Sequence, residues 1–233
     1  MKNILLLLIP FFLFSCQNEY LEFHENKISQ ENIQKEIQEF SFEKIEYLSW
    51  LTLKNTPDLQ FLDECTQKID DAKSRVYVEV YIFTEKRLRK ALIDAKKRWL
   101  DVKVILEKNI YLAGNLNKDT FKQLEKAWIE VVYSHPQNYS LNHTKMMIID
   151  DEVIVSTGNF SYSTFRYNRE FFILLDNKNL LPTFLEIFEN DFSGVKKNIH
   201  HPNIVLSPFT SRTQVEYLLK NAQKSIKVYA HNI

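Results

Sequence analysis

His143 and Lys145 stand two residues apart, and Asp150 follows five positions after the lysine, in a chain of 233 residues that holds only six histidines. On a strand, residues i and i+2 share a face, so this imidazole and this ammonium would project to the same side. A neutral imidazole can attack phosphorus, and an ammonium beside it can hold a nonbridging phosphate oxygen. Asp150 lies beyond the apolar run 146–149, at a turn, and is expected to organise structure or charge rather than to attack anything. Ser156-Thr157-Gly158-Asn159 then brings small hydroxyl and amide donors suited to phosphate oxygens. Asn168-Arg169-Glu170 sets a carboxylate at the start of another strand-like run, where it can orient a histidine's second ring nitrogen. These are the residue types that handling a phosphate ester requires.

The surrounding elements must bring them together. Leu62, Cys65, Ile69 and Ala72 have helical spacing, and 76–83 (VYVEVYIF) is β-branched and aromatic. Leu88, Leu92 and Ala95 mark a second helix before the strand 102–106. Phe121 and Leu124, on to Ala127, mark a third before the strand 129–133. Strands at 146–149 and 153–155 flank a turn, and a strand at 170–175 precedes a helix from about Leu181 to Phe192. Such alternation predicts an α/β fold, a mostly central sheet covered on both faces.

The stretch 142–172 resembles the HKD motif of the phospholipase D superfamily, with its H-x-K-x4-D, its G-S-x-N-like segment and its downstream N-x-E. The pattern from about 58 to 192 is similar to one whole HKD repeat, a mixed sheet flanked by helices. The resemblance implies a role for each matching residue. His143 attacks phosphorus or protonates the leaving group. Lys145 and Asn159 bind the phosphate, as would Thr157. Glu170 orients the histidine, and Asp150 is the motif aspartate, whose part is more structural. This chain departs from the pattern at Ser156, where the family usually has glycine, and in a spacing from Asp150 to the S/T-x-N segment one residue short of the commonest form. The family's site joins two HKD motifs, whereas this chain has one. Its chemistry is therefore expected to need a second HKD half or a homodimer partner, and the chain alone is expected to be inactive. The implied reaction is displacement at a phosphodiester through a phosphohistidine, with no cofactor and no metal.

The N-terminus, with Lys2, an apolar run and Leu13-Phe14-Ser15-Cys16, resembles a bacterial lipoprotein signal. That implies a signal peptide over 1–15, lipidation at Cys16 and an extracytoplasmic protein anchored to a bacterial membrane. Residues 16–57, rich in Glu, Lys, Gln and Asn, read as a tether with some amphipathic helix, and the HKD domain as 58–195 with a connector to 212. Cys65, Ile69, Ala72, Val76 and Val78 recur at one constant offset as Val215, Leu219, Ala222, Ile226 and Val228. The segment 213–233 is thus expected to be the truncated start of a second copy.

A formal net charge of zero shows no basic field for tracking nucleic acid. With Cys16 lipidated, Cys65 has no cysteine left to pair with, and it falls on an apolar helix face. His200-His201, beside Pro202, reads as a solvated pair rather than a ligand set. Three function classes stay open: a phosphodiesterase acting on phospholipid head groups at a membrane, a nuclease of the same superfamily, and a non-catalytic phosphate-binding envelope protein.

One compositional oddity remains. The chain has three glycines, where average usage would give roughly sixteen. Trp99 and Trp128 fall where a chain reversal after a helix wants glycine, and in the resembled family these positions usually read R-G-V and A-G-I. The expectation is that the source reads as glycine a codon that standard translation renders as tryptophan; the alternative is that both indoles pack over the sheet edge.

Overall fold

Asp58 opens the first helix by accepting hydrogen bonds from the backbone N–H groups of Gln60 (2.8 Å) and Phe61 (3.1 Å), the arrangement an N-cap aspartate makes. The structure, a computed structural model, describes residues 50–229. The signal-like segment, Cys16 and most of the proposed tether lie outside the described residues. Two compact units divide the chain, one from Leu48 to Lys197 and another that includes the residues from Asn198 onward.

The first unit holds a seven-stranded sheet. Its strands are β1 (Leu51–Asn55), β2 (Arg75–Val80), β3 (Asp101–Leu106), β4 (Glu130–Tyr133), β5 (Lys145–Ile149), β6 (Glu152–Ser156) and β7 (Phe171–Leu175), in the order β1-β7-β6-β5-β2-β3-β4. Helices α1 (Leu59–Asp71), α2 (Lys86–Lys97), α3 (Lys118–Lys126), α4 (Tyr162–Arg166) and α5 (Leu181–Ser193) complete it. β2, β3 and β4 are parallel, joined by crossovers through α2 and α3, and the other pairings are antiparallel. This is the mixed, helix-flanked α/β sheet that the sequence pattern predicts.

β2 is central and apolar on both sides, so its side chains find partners in two layers. Val76, Val78 and Val80 join Phe61, Leu62 and Ile69 of α1 and Leu88, Leu92 and Ala95 of α2 in one core. Tyr77 points the other way and stacks on Phe188 of α5, with ring centroids 4.8 Å apart. Each fully buried Leu or Phe contributes about 1.5–3 kcal/mol.

Three points differ from the sequence reading. Leu51–Asn55, assigned to the tether, is an edge strand paired with β7. Its two leucines within five residues are too short an alternation to register as a strand. The short helix α4 was also unanticipated, because its apolar content is a single turn. In the second unit, helix α6 (Ser211–Lys220) forms where the repeat expects one, but Ile226 and Val228 lie in no strand.

The backbone at the two tryptophans excludes the packing alternative. After α2 the N–H of Trp99 bonds to Lys96 O (2.9 Å) and that of Leu100 to Ala95 O (3.3 Å). After α3, Trp128 bonds to Glu125 O (2.9 Å) and Ile129 to Leu124 O (3.2 Å). Both are complete Schellman closures, whose C′ residue must be left-handed. Trp99 has φ 70° and Trp128 φ 61°. Their side chains are 94 % and 86 % exposed, so neither indole packs over the sheet. Gly194, at φ 73°, plays the same part after α5 with the residue the geometry favours.

Candidate active site

Strand register gathers the motif residues. Val80 pairs with both Leu106 and Lys145, Leu106 with Tyr133, Met146 with Val155, and Ser156 with Phe172. The C-terminal ends of β2, β3, β4 and β6 therefore meet the N-terminal ends of β5 and β7 along one edge. His143 and Lys145 reach that edge from the start of β5, Asn159 from just after β6 and Glu170 from just before β7.

His143 and Lys145 meet over Tyr81. The imidazole packs edge-on against that ring at 4.6 Å between centroids, and Lys145 Nζ lies 5.4 Å from the same centroid. Lys145 is only 3 % exposed, and its ammonium donates to the backbone carbonyl of His143 at 2.6 Å. Burial pulls the lysine down to about 7, opposed by the Glu170 carboxylate. Burial, with a further push from Lys145, lowers His143 to about 4. The imidazole is therefore neutral at pH 7, as a nucleophile must be, and Lys145 sits where its proton is easily exchanged. Nδ1 of His143 is buried and has no hydrogen-bond partner.

Glu170 does not fill that vacancy within the chain. Its Oε2 accepts from Thr157 Oγ1 at 2.7 Å, and Thr157 Oγ1 in turn accepts from Phe171 N at 3.0 Å. Thr157, expected to bind phosphate, is thus engaged in fixing the start of β7. Gly158 makes room for this: a Cβ there would come within 2.7 Å of Glu170 Cγ. Asn159 Oδ1 accepts from Ile82 N at 3.2 Å, so what it can offer a phosphate is its amide NH2. The bridge between Phe83 and Phe160 holds the two segments side by side.

Asp150 is not brought to this edge. It lies at the other end of β5, about 17 Å from Lys145 by strand rise. There its carboxylate accepts from the N–H groups of Lys73 (2.8 Å), Ser74 (2.8 Å) and Arg75 (3.1 Å) and from Ser74 Oγ (2.7 Å). Although the resemblance counts it with the motif's catalytic set, it acts here as the clasp between the α1–β2 turn and the β5–β6 turn. Those hydrogen bonds hold its carboxyl below the usual range despite partial burial. Asp150→Ala is expected to lower stability by about 1–3 kcal/mol, read by urea denaturation. Because the folded pKa is depressed, the clasp's contribution is present above about pH 4 and fades as pH falls through the folded value.

Several residues that matter at this edge escaped the sequence reading. Tyr81 reads as one more aromatic in a core strand. Asn117, fully buried, accepts from Phe83 N and donates to the carbonyls of Tyr81 and Glu107, fixing the chain where it leaves β2. Asn142 N donates to Glu107 Oε2 (3.0 Å) and Asn142 Nδ2 to Glu79 Oε1 (2.6 Å). Glu79 did leave a signal: it is a carboxylate inside an otherwise apolar strand, and a charge so placed needs a partner.

Comparison with known proteins follows the same residues. Positions 65–192, over half of the chain, match the family described as cardiolipin synthase, PLD-like domain. The chain belongs to the PLD-like family. A phospholipase D of Rickettsia bellii is 30 % identical over 122 residues, which cover 51 % of this chain and 57 % of that relative. A phospholipase D of Rickettsia conorii is 25 % identical over 174 residues, or 72 % and 84 % of the two chains. Mouse mitochondrial cardiolipin hydrolase is 30 % identical over 120 residues, or 51 % and 52 %. The chain thus spans little more than half the length of the first of these relatives. Among solved structures, the PLD-family member Nuc of Salmonella typhimurium superposes with a TM-score of 0.55 at 24 % identity, over 61 % of this chain and 93 % of Nuc. Phosphatidylserine synthase of Haemophilus influenzae gives 0.57 at 13 % identity, over 85 % and 50 %. These structural likenesses carry the PLD-like fold.

Proposed function

We propose that this PLD-like protein is a phosphodiesterase that cleaves or exchanges phospholipid head groups through a phosphohistidine. The observation that carries the reading is the neutral His143 imidazole beside the desolvated Lys145 ammonium at one sheet edge. His143 attacks phosphorus, a P–N bond forms and the P–O bond to the leaving alcohol breaks. A second histidine gives that alkoxide its proton. Water or another alcohol then attacks phosphorus, surrenders a proton to the second histidine, and the P–N bond breaks. Lys145 and the Asn159 amide stabilise charge on the nonbridging oxygens.

The second histidine belongs to a second HKD half or to a homodimer partner, whose surface also provides the acceptor that the buried Nδ1 lacks. Lipid rather than nucleic acid is supported by the zero net charge and by the rim of the site. Tyr111 (48 % exposed), Leu112 (84 %) and Leu116 (49 %), between β3 and α3, and Tyr162 (53 %) and Tyr167 (71 %), at the two ends of α4, all lie in connections at the edge that carries His143. Lipidation at Cys16, outside the cytoplasm, would keep the protein at a bilayer.

In the presence of a chelator, choline release from phosphatidylcholine vesicles is expected to persist while single-stranded DNA stays intact. Cleavage of DNA without choline release would move the protein to the nucleases of the superfamily. Turnover of neither by the homodimer, or by the chain with a second HKD half, would leave a phosphate-binding module.

A further inference from the structure

Glu79 is the one carboxylate buried to 0 % exposure in the central strand β2, and nothing in the displacement chemistry uses it. It does touch the residue before the nucleophile. Its Oε1 accepts from Asn142 Nδ2 at 2.6 Å, and Asn142 Oδ1 accepts from Thr144 N at 3.1 Å, so the Asn142 side chain brackets His143. Its Oε2 finds no donor among the protein's fixed hydrogens, yet the Asp191 carboxyl of α5 lies within hydrogen-bonding reach. Two carboxylates cannot both be ionised in such a setting, and a proton on one satisfies both. The Tyr139 hydroxyl, on the same β4–β5 loop as His143, lies beside Asp191 and pulls its carboxyl down against burial.

We propose that Glu79 is a positioning residue: as a neutral acid that donates to Asp191 and accepts from Asn142, it locks the loop carrying His143 onto β2 and α5. This rests on the phosphodiesterase reading for its kinetic consequence, though not for its structural one.

The geometry makes the lock more than a local contact. The β4–β5 connection is tied at its start, where Ser134 Oγ donates to Glu107 Oε2 (2.8 Å), at Tyr139 by Asp191, and at Asn142 by Glu107 and Glu79 together. Three elements, β2, the end of β3 and α5, thus hold one loop. The titratable groups that face the pair are Tyr139 and His135 from the loop, and Thr144 adds a hydrogen bond to Glu79. Burial and the facing Asp191 push Glu79 well above the usual carboxylate range, and burial raises Asp191 as well, so the pair holds one shared proton. Raising the pH until the proton is lost sets two buried negative charges against each other and releases Asn142.

Two variants separate the proton from mere packing. Glu79→Gln keeps an oxygen for Asn142 and an NH2 for Asp191 but cannot ionise, whereas Glu79→Ala removes both bonds. Hydrogen exchange over 139–147 is read by mass spectrometry, and turnover with bis(p-nitrophenyl) phosphate between pH 5 and 9. Glu79→Ala is expected to exchange faster over 139–147 and to lose about 100-fold in kcat with little change in KM. Glu79→Gln is expected to keep wild-type protection and activity near pH 6. Its rate divided by that of wild type should then climb with pH, a ratio from which the titrations of Lys145 and His143 cancel. A ratio that stays flat, or protection in Glu79→Ala equal to wild type, overturns the proposal. Should Glu79→Ala fail to fold, the ratio for Glu79→Gln still decides. Absence of turnover in the wild type assembled as a homodimer or with a second HKD half would sink the phosphodiesterase reading, while exchange over 139–147 would still judge the lock.

Discussion

His143→Ala is expected to reduce phosphodiester turnover by about 10^4-fold or more, because in the proposed phosphohistidine mechanism it removes the atom that would bond to phosphorus. The same substitution should leave stability unchanged or slightly improved. The buried Nδ1 has no partner among the described residues, and deleting an unsatisfied polar group relieves its desolvation cost. Lys145→Met should behave alike for the same reason: a buried ammonium held chiefly by one carbonyl is costly to fold around. Lost activity with retained or raised melting temperature would mark both residues as functional; a parallel fall in both properties would make them structural. The pH dependence of kcat/KM has a defined shape. It rises as His143 loses its proton near 4 and falls as Lys145 loses its own near 7, giving an optimum on the acid side of neutrality.

Trp99→Gly and Trp128→Gly are each expected to stabilise the protein by about 1 kcal/mol. A left-handed non-glycine residue costs roughly 1–2 kcal/mol, and the extra chain freedom of glycine in the unfolded state returns part of that gain. Nothing is lost in packing, since both indoles are almost wholly in solvent. The double variant should add the two effects, because the sites close different helices, and thermal melts would show a rise of several degrees. The same backbone argument bears on the protein's native form. Mass spectrometry of material from its own source is expected to find glycine at both positions; two tryptophans there would end the idea of a reassigned codon.

How much of this was legible beforehand depends on the range of the interaction. The helix and strand pattern was readable from Leu62 to Phe192 because each element carries its own apolar period. The edge strand Leu51–Asn55 was missed, since its partner β7 lies more than a hundred residues away and only pairing makes it a strand. Glu170 was expected on the histidine; the short approach across Gly158 gives it to Thr157 instead. Asp150 belongs to the motif by resemblance and its turn position implies an organising part, but only the length of β5 shows that this part is a clasp at the opposite end of the sheet.

The residue types and spacing alone singled out His143, Lys145 and Asn159 as candidates and showed the left-handed demand at Trp99 and Trp128, because helix closure and strand alternation act over a few residues. Tertiary structure alone decided which strand ends share an edge, that Lys145 is stripped of water, and that Glu79 meets Asp191. Those outcomes depend on burial and on charges brought together from distant parts of the chain, and the strength of a charge's interactions is set by how much water the fold removes around it.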